Sequence, residues 1–408
     1  MAQVVITTES RFLRTPDGRV WVQVGPDHAI WTRYLAAFEQ VRVVARVRDV
    51  DEAPAGAARV DGPGVEVRGV PYYEGPVQFL LRRPAIRRAA LAAVADADAV
   101  ILRVPSPIAN LISRDLDRRG RPYACEAIGD PYVVLSRGVV DHPLRPVLRR
   151  WATSAMQRQC GSAVAVSYET RRTLQARYPA SPSAVSVGIS SVDLPAAAFV
   201  ATPRTYDAPV RSATLVSVGS LEQLYKGIDT LVEALARLRD AGQRHRLVHV
   251  GVGRHQPGIE ELIVARGLTG QVTLAGWLPS TEDLRSLLDG ADLFVMPSRT
   301  EGLPRALIEA MARALPAIGS TAGGIPELLP AGCLVPPGDP AALATAIGGL
   351  LADPDRLAEA SRRNLDLASS YSADVLSSRR RDFYQAVRKL SAGRAAHLDA
   401  HLNGPAAR

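Results

Sequence analysis

Lysine is almost absent from this 408-residue chain. Of 49 basic residues only Lys226 and Lys389 are lysine, and the rest are arginine. That skew, with abundant alanine, glycine and proline, matches the codon bias of a GC-rich genome. It makes a lysine kept at a structured position informative. Cysteine is scarce too. Cys125, Cys160 and Cys333 are unclustered, which excludes a disulfide framework and a cysteine-rich zinc module and predicts reduced, buried thiols. Aromatic residues are 5% of the chain and do not interleave with the clusters Arg82-Arg83, Arg87-Arg88 and Arg379-Arg380-Arg381, so a base-stacking nucleic-acid surface is not supported. Those clusters read as solvated helix faces, with peripheral contact to an anionic membrane as the competing reading. No apolar run approaches 18 residues and no basic-then-apolar leader opens the chain; a cytoplasmic protein is expected.

What is present is a composition of 47% hydrophobic and 22% charged residues, that of a soluble globular protein long enough for two domains. Short apolar runs at 4–7, 41–45, 99–104, 122–127, 163–167 and 185–187 read as strands, and 31–38 and 79–94 as helices. Residues 195–209 are proline-bearing, small and polar, and read as a linker. Strands follow at 214–220, 247–253, 272–278 and 291–296, and the last helices at 357–370 and 373–390. This alternation predicts an α/β chain with parallel sheets.

Lys226 sits at a junction. Strand 214–220 ends in Gly219 and Ser220, and Lys226-Gly227 then opens a helix. A flexible point charge at a helix N-terminus suits a diphosphate; a plain surface lysine is the alternative. A second junction follows strand 291–296, in Ser298-Arg299-Thr300-Glu301-Gly302-Leu303-Pro304-Arg305. Pro304 suits a first helical position. Leu307, Ala310, Met311 and Ala314 then recur at helical spacing until Pro316 stops the run. Unpaired N–H groups at the positive end of such a helix form an anion site, which Gly302 lets a phosphate approach. Seven residues separate Glu301 in the loop from Glu309 on the helix. Glu309 falls on the face away from Leu307 and Met311, shared with Arg305. An exposed i,i+4 pair with Arg305, worth ~0.2–0.5 kcal/mol, is the competing reading.

The Glu301–Glu309 stretch resembles the E-x7-E motif of retaining glycosyltransferases of the GT-B fold, family 4 (glycosyl transferases group 1). The resemblance implies that Glu301 lies near the transferred sugar and that Glu309 binds the ribose of a nucleotide-diphosphate sugar. The loop carrying Ser298, Gly302, Leu303, Pro304 and Arg305 would then hold the donor. Gly219, Ser220 and Lys226-Gly227 resemble the family's diphosphate clamp. Ser220 stands where relatives often carry arginine, so one charge of the clamp is missing or comes from Arg299 or Arg305. Gly251 and Gly253 form a glycine turn after the next strand, without the third glycine and acidic partner of a dinucleotide fingerprint. Trp277 and Leu278 resemble the edge that reads the nucleobase, and Gly323-Gly324 with Glu327 resembles the family's GGxxE turn, suited to close packing near phosphates.

The first half of the chain resembles the family less. Its loop after the first strand would contact donor phosphates and acceptor through Gly18 and His28. The usual closely spaced glycine pair is absent, however, and His28 also reads as an ordinary polar residue at a helix start. Glu126 and Asp130 stand near a strand end where relatives carry a histidine; Asp130 also reads as opening a turn before Pro131. Asp96-Ala97-Asp98 matches the metal-holding D-x-D pattern of the other large glycosyltransferase fold, and reads instead as turn chemistry.

The expectation is therefore a GT-B architecture: two Rossmann-like doubly wound domains facing a cleft. Residues 1–200 would bind the acceptor and 205–370 the donor. The C-terminal helix, about 372–392, would cross back to the first domain, and 393–408 would be a frayed tail. The implied activity is retaining transfer of a sugar from a nucleotide-diphosphate sugar to an acceptor hydroxyl, on a natural-product scaffold or a lipid-linked or polysaccharide saccharide. The catalytic set would be Glu301, Lys226, Glu126 and Asp130, with no metal, no other cofactor, no nucleic acid and no obligate protein partner. A nucleotide-sugar epimerase, a pseudo-glycosyltransferase and a non-catalytic sugar-nucleotide binder are the alternatives.

Overall fold

Valine, isoleucine and alanine dominate the short apolar runs, and in the computed structural model, which describes residues 2–135 and 143–403, these runs become strands of two separate sheets. The chain divides into two compact units. Met1–Tyr132, Pro146–Ile189 and Ser377–Arg408 form the first, and Ser190–Leu376 is the bulk of the second.

The first unit holds β1 (Gln3–Arg14), β2 (Val20–Val22), β3 (Gln40–Asp49), β4 (Ala58–Arg59), β5 (Val65–Pro71), β6 (Ala99–Val104), β7 (Ala124–Ala127), β8 (Ala165–Tyr168) and β9 (Val185–Gly188). Seven of them run parallel in the order β5-β3-β1-β6-β7-β8-β9, and β2 and β4 extend the far end of β1 antiparallel. Side chains alternate across the sheet. Val5 joins a core with Ile86, Ile108 and Met156 of the helices Gly75–Val94, Pro107–Arg118 and Arg145–Ser162. Val4 and Ile6 face the other way, onto Trp31, Tyr34 and Phe38 and onto Phe383, Tyr384 and Val387 of the last helix.

β1 is far longer than the expected strand at 4–7. It passes an irregularity after Thr7 and pairs again with β3 from Arg11 to Arg14. It then turns directly into β2. Gly18, at φ +83°, occupies that hairpin turn and donates to the Thr15 carbonyl at 2.9 Å. The expected ligand loop is therefore a hairpin, and Gly18 serves the turn. The polar run Thr7-Thr8-Glu9-Ser10 concealed the strand's continuation.

The second unit holds β10 (Thr214–Val218), β11 (Arg246–Val250), β12 (Val272–Gly276), β13 (Leu293–Met296), β14 (Ala317–Ser320) and β15 (Leu334–Val335). All are parallel, in the order β12-β11-β10-β13-β14-β15. This is the doubly wound order in which connections reverse direction between the first and fourth strands, here β10 and β13.

Residues 195–209, expected as a linker, are mostly exposed but are anchored to the second unit at Ala198 and Arg204. Val192, Leu194 and Ala198 are buried in a core with Phe294, Met311 and Leu315. Arg204 places its guanidinium on the carbonyls of Leu288 (2.8 Å), Ala291 and Arg313 (3.3 Å). The small, polar composition suited a strap whose one long side chain satisfies carbonyls at helix ends. The last helix spans Ala373–Asn403, so it continues through most of the segment expected to fray; residues 404–408 lie outside the described range. No described helix is long and apolar enough to cross a membrane.

Candidate functional site

Loops at the carboxyl ends of β10 and β13 must lie side by side, because those strands are neighbours at the reversal. After β10 the chain makes a single turn at Leu224–Lys226 and enters the helix Ile228–Asp240 through Gly227, at φ +75°. A Cβ on Gly227 would lie 2.2 Å from the Pro297 carbonyl oxygen. The two loops can touch only because that atom is missing. Arg299 fastens the contact: its N–H donates to the Tyr225 carbonyl at 2.6 Å, and its guanidinium grips Asp229 at 2.6 and 2.8 Å.

This docking brings together two residues singled out from sequence. Lys226 Nζ lies 2.6 Å from Glu301 Oε1, and Ser298 Oγ donates to the same oxygen at 2.8 Å. The Glu301 side chain is only 7% exposed and that of Lys226 20%, so the pair is shielded from solvent screening.

The helix after this loop, Arg305–Ala312, starts one residue later than expected. Pro304 is its cap and not its first residue, and no side chain caps it. Its first N–H groups are left for solvent or a ligand. A turn from the next strand pins the loop by main-chain contact. Gly323, at φ +54°, would place a Cβ 1.9 Å from the Glu301 carbonyl oxygen, and Gly324 N–H donates to the Gly302 carbonyl at 2.9 Å. By contrast, a Cβ on Gly302 would meet no protein atom within 4 Å. The chain's own packing does not require glycine there.

Glu309 does not form the exposed pair with Arg305. It is half-buried, and among the described residues its carboxylate has neither an ion pair nor a hydrogen bond. Burial pushes its pKa above the ordinary carboxylate value, against the pull of Arg305 and Arg285. Arg305 is exposed and, among the described residues, its guanidinium donates to the Ser191 carbonyl alone, at 3.4 Å. Of the two arginines considered for the missing clamp charge, Arg299 is committed to Asp229, and Arg305 has no ion pair among the described residues.

The β10–β11 side of the site is shaped by close packing. Cβ atoms on Gly251 and Gly253 would fall 2.0 Å from the Gly219 carbonyl oxygen and 2.1 Å from the Glu222 nitrogen. Both glycines therefore serve the approach of loop 219–222, in which Ser220 Oγ accepts from Glu222 N–H at 3.1 Å. Beneath it lies His249, which sequence reasoning passed over. It is fully buried, its pKa is lowered by burial to about 4, and its Nε2 lies 3.0 Å from the Gly219 carbonyl. A neutral ring must donate there. A histidine inside an apolar strand was the available signal. After β12, Trp277 is 79% exposed and Leu278 half-buried.

The candidates in the first unit are structural. Glu126 lies inside β7, 9% exposed, and accepts from Tyr34 (2.8 and 3.0 Å) and Tyr384 (3.2 Å), with Arg103 at 3.4 Å. Its acceptor capacity ties the last helix to the sheet, so it is withdrawn as a catalytic residue. Asp130 accepts from Tyr132 N–H at 3.0 Å, from the Tyr178 hydroxyl and from Arg177. It is the turn-opening residue of the alternative reading, and is withdrawn as well. His28 begins the short helix His28–Trp31 behind the Asp27 cap and touches the Pro63 carbonyl at 3.4 Å, which fits the ordinary reading. Asp96 pairs with Arg42, and Asp98 accepts from Gln3 N–H at 2.7 Å. No cluster of three potential metal ligands occurs among the described residues. The three cysteines are buried and free.

Comparison with known proteins bears on the same unit. The family described as Glycosyl transferases group 1 matches residues 212–353, the segment containing Lys226, Glu301 and Glu309. Protein CapJ of Staphylococcus aureus is 22% identical over 308 residues, 74% of this chain and 75% of that protein. The putative colanic acid biosynthesis glycosyltransferase WcaL of Escherichia coli is 36% identical over 172 residues, 40% of this chain and 42% of WcaL, so less than half of WcaL is spanned. HepE from Anabaena, solved in complex with UDP-glucose, superposes with a TM-score of 0.60 at 16% identity, over 94% of this chain and 99% of that one.

Proposed function

We propose, from the premise that the chain is a group 1 glycosyltransferase of the GT-B fold, that it moves a sugar from a nucleotide-diphosphate sugar to an acceptor hydroxyl with retention of anomeric configuration. The carrying observation is the meeting of Lys226 and Glu301 at the sheet reversal, beside an uncapped helix N-terminus. HepE's complex with UDP-glucose supports a nucleotide-sugar donor. WcaL's description supports a saccharide acceptor in polysaccharide synthesis.

In this reading the diphosphate docks on the N–H groups around Leu303 and Arg305, where Gly302 leaves room. Lys226 stabilises the charge that develops as the glycosidic bond breaks. An incoming diphosphate competes with Glu301 for Lys226, so donor binding is coupled to release and orientation of Glu301 toward the sugar. Glu309, half-buried and with no hydrogen bond or ion pair among the described residues, accepts the ribose hydroxyls. A panel of labelled nucleotide-diphosphate sugars tests the proposal. Nucleoside diphosphate release should accompany a product that keeps the donor's anomeric configuration. An inverted product, or binding without turnover on any acceptor, would overturn it.

Two expected outcomes follow from the site. Glu309→Gln weakens nucleoside-diphosphate binding ~5- to 10-fold by calorimetry, because an amide accepts fewer hydroxyl bonds than a carboxylate. Glu301→Gln does not weaken that affinity, because it frees Lys226 for the diphosphate, but it depresses transfer. Wild-type affinity in the Glu309 variant would remove its ribose role. Second, a phosphate site made of a lysine and backbone N–H groups supplies its own positive charge. Transfer should persist in excess chelator; loss restored by an added divalent cation would show a metal to be required.

A further inference from the structure

His249 is a costly residue for its position. It lies inside β11, between β10 and β12, and is completely buried. Strands covered on both faces are ordinarily aliphatic. Its Nδ1 has no hydrogen-bond partner among the described residues, and a buried polar atom left unpaired is destabilising. Valine or leucine would fill β11 without that cost. What the imidazole alone supplies is the bond from Nε2 to the Gly219 carbonyl, 3.0 Å away.

That bond fixes one peptide group. Glycine at 219 leaves the Gly219–Ser220 peptide free to rotate, so its orientation needs a lock. The peptide is trans, and the C=O and N–H of a trans peptide point in opposite directions. With the carbonyl held against His249, the Ser220 N–H is turned away from β11. It has no hydrogen-bond partner among the described residues, whereas the N–H groups on either side do. Gly219 donates to the Val250 carbonyl and Leu221 to the Val252 carbonyl, both at 2.9 Å. Ser220 is exposed and brings no charged side chain, so its N–H is what it can offer an anion. The stem of Lys226 passes beside this peptide: a Cβ on Gly219 would lie 3.0 Å from Lys226 Cγ. A flipped peptide would present a carbonyl oxygen there instead and repel an anion.

We infer that His249 is a positioning residue for the donor's diphosphate: it locks the Gly219–Ser220 peptide so that the Ser220 N–H, beside Lys226, donates to a phosphate oxygen. The inference rests on the nucleotide-diphosphate donor proposed above. It adds to that site a donor from the loop after β10 and the buried group that orients it. His249 itself touches no substrate. The N–H is oriented before the donor arrives, so it stabilises the diphosphate's charge without reorganising.

Calorimetry on the full chain with UDP, GDP, ADP and dTDP, and with the matching nucleosides, tests it. For the diphosphate that the parent binds most tightly, His249→Leu should weaken affinity ~10-fold or more, the size of one hydrogen bond to a charged group. Affinity for the nucleoside should stay within about twofold. A packing defect would weaken both alike. His249→Gln, whose amide N–H can reach the same carbonyl, should keep diphosphate affinity within about threefold of the parent. A measurement on the parent alone needs no variant to fold. With isotope-labelled serine, the Ser220 amide proton should move downfield on adding the diphosphate and not on adding the nucleoside. Unchanged diphosphate affinity in His249→Leu, equal losses for diphosphate and nucleoside, or an unmoved Ser220 amide would overturn the inference and leave the donor reading standing. Binding of none of the four diphosphates by the parent would overturn both.

Discussion

Lys226→Ala lowers turnover about 100-fold, the upper end of what a charge-assisted contact worth ~1.5–3 kcal/mol supplies. The upper end is expected because Lys226 has two partners to lose. In the resting site it neutralises Glu301 at 2.6 Å in a shielded position; in the reaction it would face the departing diphosphate. Removing it also strands the Glu301 carboxylate beside Ser298, and a shielded charge without its counterion is destabilising. The two losses can be separated. Lys226→Ala should melt at a lower temperature than the parent, and Lys226→Ala/Glu301→Gln should recover most of that stability while recovering no turnover. Steady-state kinetics and thermal unfolding on the three proteins check both halves. Turnover within about twofold of the parent in Lys226→Ala, well short of what any charge-assisted contact supplies, would remove Lys226 from the reaction.

The second large effect is on folding. Glu126→Leu should reduce the free energy of unfolding by about 3 kcal/mol, since it leaves Arg103 and the hydroxyls of Tyr34 and Tyr384 without their shared acceptor. Burial and the Glu126 carboxylate together hold both tyrosine hydroxyls well above their ordinary pKa, so at neutral pH they are donors. Denaturant unfolding followed by circular dichroism measures the loss. Nucleoside-diphosphate affinity should not change, because every residue proposed to hold the nucleotide belongs to the second unit. A variant with parental stability and depressed transfer would return Glu126 to the catalytic set.

The contrast between these two acids shows how far residue pattern reaches. Lys226 stood out because arginine fills nearly every other basic position, and Glu301 because it lies in a strand–loop–helix passage of local, readable periodicity. Glu126 also lies at a strand end, where relatives of the resembled family carry a histidine, and that resemblance made it a site candidate. Its partners Tyr34 and Tyr384 are 92 and 258 positions away, beyond any periodic signal. Of the two readings offered for Asp130 the turn-opening one holds, and its partners Arg177 and Tyr178 stand 47 and 48 positions away. Gly18 was assigned to a ligand loop because four polar residues interrupt β1. Strand pairing with β3 continues through that interruption, at the cost of one irregularity.

The amino-acid sequence by itself determined the α/β class, the strand–loop–helix at the second junction, the spacing of Glu301 and Glu309, and the rarity of Lys226. All of these are written in side chains a few residues apart. Only the tertiary structure decided that Lys226 meets Glu301 across 75 positions, that Glu309 is half-buried with no hydrogen bond or ion pair among the described residues, that Arg299 is spent on Asp229, and that residues 195–209 are anchored through Ala198 and Arg204. The physical reason is the same in each case. Hydrogen bonds, ion pairs and close approaches such as that of Gly227 to Pro297 depend on which strands become neighbours. That order is set when the whole sheet assembles.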